Sequence, residues 1–106
     1  MKHYFSTEAA VQIGIVEALI LEHIAFWVER NHEKGREPIN GRWWMYESVQ
    51  QMAVYFPYLT PRQVRSALEN LVAQGAIYTG VFNKLGMDRT KWYTPTDRGW
   101  SLLQED

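Results

Sequence analysis

The sequence predicts a mainly α (α+β) fold: a winged helix-turn-helix with three to five helices, a small antiparallel sheet and a β-hairpin wing. A pair of helices joined by a short turn lies between Ser48 and Gly75, each opened by its own capping box. A β-hairpin with a long, turn-rich loop follows over residues 76–94. Two helices and an aromatic strand precede the pair, and a last helix follows the hairpin. That order is the pattern of a winged helix-turn-helix.

Each element has a local reason. Ser6 is a suitable N-cap for a short helix through Ile13, closed by Gly14. A longer helix is expected from Ile15 to Asn31. Val16, Ile20, Ile24 and Trp27 line one side of it, with Leu19, His23 and Phe26 beside them and Glu17, Glu22, Glu29 and Arg30 opposite. The stretch NHEKGREPING reads as a loop. Residues 42–46 (RWWMY) read as an aromatic strand, on which Trp43 and Trp44 face opposite sides, one of them into the core.

Ser48 and Gln51 then have capping-box spacing, and Val49, Met52, Ala53 and Phe56 fall on one side of the next helix. Thr60 and Gln63 repeat the box. Pro61 takes the first helical position, where its missing N–H costs nothing, and Leu59 with Val64 has the spacing of a hydrophobic staple. Gly75 suits the left-handed residue just past the helix, with Leu71 and Ala76 placed for a Schellman close. This helix of about fourteen residues turns Val64, Leu68, Leu71 and Val72 inward and leaves Arg62, Gln63, Arg65, Ser66, Glu69 and Asn70 to solvent. AIYTGVF and TKWYT read as the hairpin strands, NKLGMDR as its tip, and Thr94 with Pro95 as the start of the last helix, with Asp97 near its N-terminus.

Composition narrows the function. The 106 residues favour one domain with a small core. There is no Cys, which excludes disulfides and thiolate metal sites. No leader pattern is seen at MKHYFSTEAA, and the longest apolar run carries two Glu and a His, so no membrane span is expected. His3, His23 and His32 are far apart, so no metal is expected. No nucleophile elbow, phosphate loop or paired carboxylates appear, so neither enzymatic activity nor a cofactor is expected. Net charge is -1, but residues 1–41 carry four Lys/Arg against six Glu, whereas residues 60–98 carry six Lys/Arg against three acidic residues. The positive charge therefore sits on the second capped helix and the hairpin.

That placement suggests double-stranded DNA as the partner. In a recognition helix over Thr60–Gln74, Arg62 and Arg65 suit guanine edges or phosphate and Gln63 suits adenine. Thr60, Ser66 and Asn70 suit phosphate or base contacts, and Lys84, Arg89 and Lys91 suit flanking backbone. The bland reading makes these ordinary solvated residues, and the many aromatics are read as core before they are read as base-stacking platforms. A second reading is a protein-interaction module, because the charge is near neutral and the long helix is acidic.

Trp44-x-Tyr46-x-Ser48, FPYLTPRQVRSALENLVAQGAI and the hairpin ending Asp88-Arg89-Thr90-Lys91-Trp92-Tyr93 resemble the N-terminal winged-helix domain of phage and plasmid replication initiators, the replisome organisers. The leading AAVQIGIVEALILEHIAFWV is also similar, and the resemblance spans about residues 5–103. It implies DNA binding in replication initiation, with transcriptional regulation as the alternative. It further implies contact with a replisome or host protein and a cytoplasmic place in a bacterium or infected host. A homodimer through the leading helices and exposed aromatics is expected separately, because a small module with so little positive charge would bind DNA weakly alone. Such initiators continue into a second domain, so residues 1–106 are read as a single winged domain or as the N-terminal part of a longer protein.

Overall fold

The computed structural model describes residues 1–104; the last two residues of the domain read over 1–106 lie outside the described residues. The elements run α1 (Thr7–Ile13), α2 (Ile15–Glu33), β1 (Met45–Tyr46), α3 (Val49–Val54), α4 (Pro61–Ala73), β2 (Ile77–Gly80), β3 (Trp92–Pro95) and α5 (Asp97–Leu102). The chain is thus α+β, with five helices and a three-stranded antiparallel sheet among the described residues. Strand β3 lies between β1 and β2, with Met45 opposite Tyr93 and Thr79 opposite Tyr93 on its other side.

Four of the five helices begin at a hydroxyl side chain. Ser6, Ser48, Thr60 and Thr96 each accept a backbone N–H from the first turn of α1, α3, α4 and α5. Both capping boxes form completely. The exception is α2, which starts at Gly14 (φ 105°) with no side-chain cap. Its stability comes from burial: α2 packs against α1, α4, β1 and β3.

One hydrophobic cluster draws on all five helices, with Ile20, Leu21, Ile24, Met45, Met52, Phe56, Val64 and Leu71 fully buried. No described helix is long and apolar enough to cross a membrane.

Several expectations need correction. Helix α2 runs two residues past Asn31, to Glu33, and buries Ala18, Leu21, Ala25 and Val28 together with Ile20 and Ile24 of its predicted stripe, while Val16 and Trp27 are only partly buried. Neighbours on several sides cover it, so one periodic stripe understates its burial. Phe26 nevertheless stays 52% exposed. On α4, Val72 is exposed at 43% and Ala67 is buried instead, which centres the inner face on Val64, Ala67, Leu68 and Leu71.

The strand expected over residues 42–46 shrinks to Met45–Tyr46. Other partners take the ladder groups at its start: Arg42 N and O pair with Ile39 at 3.1 and 2.8 Å, and Asn31 donates to the Trp44 carbonyl at 2.7 Å, while the Trp43 and Trp44 indoles pin the preceding loop at Arg36 O and Ile39 O. Trp44 is the core member of the pair, whereas Trp43 stacks on His32 at 3.8 Å.

The last helix starts two residues later than expected, at Asp97 with Thr96 as cap, and Thr94 and Pro95 belong to β3. Pro95 pairs with Ile77, and its carbonyl accepts from Arg42 at 3.3 Å, past the end of β1, where its missing N–H costs no ladder bond.

Candidate nucleic-acid interface

Helix α4 places six of the nine residues singled out from the sequence. Gln63 N donates to Thr60 Oγ1 at 3.1 Å, and Gln63 Oε1 accepts from Thr60 N at 2.8 Å. Both side chains are therefore working as caps. A bidentate contact with adenine needs the Gln63 oxygen to leave its box, and only its amide NH₂ is free to donate. Asn70 is also engaged: its Nδ2 donates to Glu17 Oε2 on α2 at 2.8 Å. Glu17 thus belongs to the surroundings of α4 rather than to a purely solvated face. Arg62, Arg65 and Ser66 remain exposed on the helix.

The far end of α4 closes as a Schellman motif. Ala76 N donates to Leu71 O at 2.9 Å and Gly75 N to Val72 O at 3.0 Å, with Gly75 at φ 71°. This close turns the chain directly into β2 and fixes where the hairpin leaves the helix.

The hairpin loop, residues 81–91, is held from within and from outside. Asn83 Nδ2 donates to the carbonyls of Asp88 (3.0 Å) and Thr90 (2.8 Å), and Asn83 Oδ1 accepts from Trp92 Nε1 at 2.7 Å. Asp88 Oδ1 accepts from Thr90 N at 3.0 Å, and Asp88 Oδ2 accepts from the Tyr46 hydroxyl at 2.5 Å. Phe82 packs edge-on against Trp44 and Trp92, with ring centroids 4.8 and 5.8 Å apart. The Phe82 ring occupies the space where a Cβ on Gly80 would project, so Gly80 admits this fold-over. The Tyr46 hydroxyl and the Thr90 N–H hold the Asp88 carboxyl below the usual carboxylate range. The same carboxylate, by accepting the hydrogen bond from the protonated Tyr46 hydroxyl, raises the Tyr46 phenol above its ordinary value.

These two scaffolds bring three cations together. A groove of about 630 Å³ lies between the start of α3, the outer side of α4 and the hairpin, and Arg65, Arg89 and Lys91 line it. Glu47 and Glu69 share its walls. Arg62, Gln63 and Ser66 fall on a separate shallow cleft with Val16 and Glu17. Lys84 lines a third depression beside Trp43, Trp92 and Tyr46. Seven of the nine predicted residues therefore divide among three surfaces, while Thr60 stays in its cap and Asn70 on Glu17. Among the described residues, Arg62, Arg65, Lys84, Arg89 and Lys91 form no ion pair, so their charge is unspent.

Sequence reasoning missed the loop's anchors. The spacing of Asp88 and Thr90 is that of an Asx turn and was readable. The partnership of Tyr46 with Asp88, 42 residues apart, was not. The sequence also left His23 without a carboxylate, yet in three dimensions its Nε2 lies 2.8 Å from Glu47 Oε1, with both side chains largely buried. The pair is a packed tie between α2 and the start of α3, flanked by Trp27, Tyr55 and Phe56. No group of three or more His, Asp or Glu among the described residues is placed to hold a metal ion. A further cleft of about 950 Å³ lies elsewhere, between the N-terminal segment, α2 and α5, with Phe26, Trp27, Tyr55 and Trp100 in its walls.

Comparison with known proteins finds no matching family model, no matching curated protein and no matching solved structure.

Proposed function

We propose that this chain is a winged helix-turn-helix domain that binds double-stranded DNA, with α4 as the recognition helix and residues 81–91 as the wing. The observation that carries the reading is the convergence of Arg65 from α4 with Arg89 and Lys91 from the loop on one groove, all three unpaired among the described residues. Cations from two rigid elements, fixed relative to each other, suit a phosphate backbone entering beside a groove-reading helix. Arg62 and Ser66, on the separate cleft of α4 beside Val16 and Glu17, are then the base-proximal residues, and Thr60 and Gln63 act through the cap. Replication initiation, by the resemblance noted above, is the favoured role, and transcriptional regulation by the same fold is the alternative.

A module with so few cations binds weakly alone, which favours a homodimer. Val11, Ile15 and Phe26 on α1 and α2 are exposed apolar residues suited to that contact. A second reading, docking of a replisome or host protein, is favoured by the aromatic cleft between α2 and α5.

Fluorescence anisotropy against a mixed-sequence duplex at about 50 and about 200 mM salt tests the proposal. Each phosphate neutralised contributes about -0.9 to the log–log salt slope, so three contacts predict a loss of well over tenfold. Arg65→Ala with Arg89→Ala is expected to flatten that slope by about 2. Absence of binding at the lower salt overturns the DNA reading and leaves the aromatic cleft as the site to pursue.

A further inference from the structure

The tip of the hairpin loop carries a feature that phosphate binding does not use. Leu85 is 75% exposed and Met87 is 94% exposed, and Val81 at the base of the same loop is also exposed. Single exposed apolar residues are ordinary. Here, however, the two lie on one β-turn, closed by the Asp88 N–H donating to the Leu85 carbonyl at 3.1 Å. That turn stands on a base immobilised by Asn83, Asp88, Tyr46 and Trp92. A flexible loop could fold such side chains against the body of the protein, whereas this one is held with them in water.

Lys84 lies one residue before the apolar pair and Arg89 two residues after it. Neither has an ion-pair partner among the described residues. The acidic residue between them, Asp88, has both carboxylate oxygens engaged in holding the loop.

We infer that Leu85 and Met87 form an apolar wedge that enters the minor groove of bound duplex DNA, with Lys84 and Arg89 on the phosphate strands at its two sides. The inference rests on the DNA-binding reading above. Lys84 and Arg89 flank the apolar pair in the chain and line different depressions, Lys84 beside Trp92 and Arg89 beside Arg65, an arrangement that matches a groove walled by two phosphate strands and argues against an apolar protein surface as the occupant. Apolar side chains such as Leu and Met can push between base steps and kink the duplex by about 20–90°. The immobilised base favours this, because no cost of ordering the loop is added to the cost of unstacking.

The test uses the full chain and a duplex of about 25 base pairs with a dye at each end, with 2-aminopurine placed in turn at successive steps. At saturating protein, the ends are expected to move closer and 2-aminopurine emission to rise at one step, best at a flexible pyrimidine–purine step. Leu85→Ser with Met87→Ser, at exposed positions that leave the fold intact by circular dichroism, is expected to abolish both signals while affinity changes less than about tenfold. Arg65→Ala is expected to do the reverse, weakening binding but keeping the kink once the duplex is saturated.

A bound duplex that stays straight, or a kink that survives the double Ser change, overturns the wedge while the DNA-binding reading stands. Loss of the wild-type complex even at low salt overturns both.

Discussion

Helix α4 and the hairpin loop carry the same kind of cargo, exposed cations, but they are built by different means. Everything that defines α4 lies between Leu59 and Ala76: the capping box, the N1 proline and the Schellman close. The loop over residues 81–91 has few such signals. It takes its shape from Tyr46 and Trp44, some forty residues upstream, and from Trp92 on the returning strand. The positions of Arg62 and Arg65 are therefore set by local chemistry, and those of Lys84, Arg89 and Lys91 by tertiary contacts. A local element tolerates change elsewhere, whereas one assembled from distant parts fails when any part is lost.

The largest effect is expected where both regions share support. Leu71 is fully buried on α4 and supplies the carbonyl of the Schellman close. Leu71→Ala should destabilise the chain by about 2–5 kcal/mol in urea titration, with helix and hairpin lost together. Gly99→Ala should follow. A Cβ there would stand 2.1 Å from the backbone oxygen of Ala76, and α5 must shift away from the start of β2, at about 1–3 kcal/mol.

Thr60→Ala separates the two regions from the helix side. It removes one half of the α4 capping box and should reduce stability by about 1 kcal/mol, leaving the amide exchange of the loop unchanged. Asn83→Ala separates them from the other side. Three hydrogen bonds inside the loop disappear, so exchange of the Thr90 amide should accelerate about tenfold while the global unfolding midpoint barely moves. If Asn83→Ala instead lowered the midpoint as far as Leu71→Ala, the loop would be part of the core rather than an appendage.

The smallest effect is a pH response confined to the loop. Asp88 is held below its ordinary value, so its contribution is present above the usual carboxylate range and is lost as pH falls through the lowered value. Tyr46 is raised, so its contribution is complete below the usual phenol range and is lost as pH rises through the raised value. The Thr90 amide resonance should therefore shift in strong acid and again in strong base, with a plateau between. Asp88→Asn should remove the acid step, and the α4 amides should show neither step.

Much of the architecture was legible because its signals are short-range. Ser6, Ser48, Thr60, Gly14 and Gly75 each act on residues within one or two helical turns, and all five stand at the helix ends their types predict. The inner face of α4 was legible except at its edge, where Val72 and Ala67 exchange roles. The candidate site was legible only as a set of residues. All nine could be named, but the division of seven of them among three surfaces could not, because it depends on how the hairpin leans on α4.

By itself the sequence determined where α1, α3 and α4 begin, where α4 ends, and on which segments the positive charge sits. These follow from hydrogen-bond geometry over three or four residues and from composition. Only the tertiary structure decided that Arg65 joins Arg89 and Lys91 while Lys84 does not. It alone decided that His23 meets Glu47, that β1 shrinks to two residues and that Pro95 ends a strand. Each of these outcomes joins residues far apart in the chain. Such encounters are selected by how the whole core packs, and no local propensity encodes them.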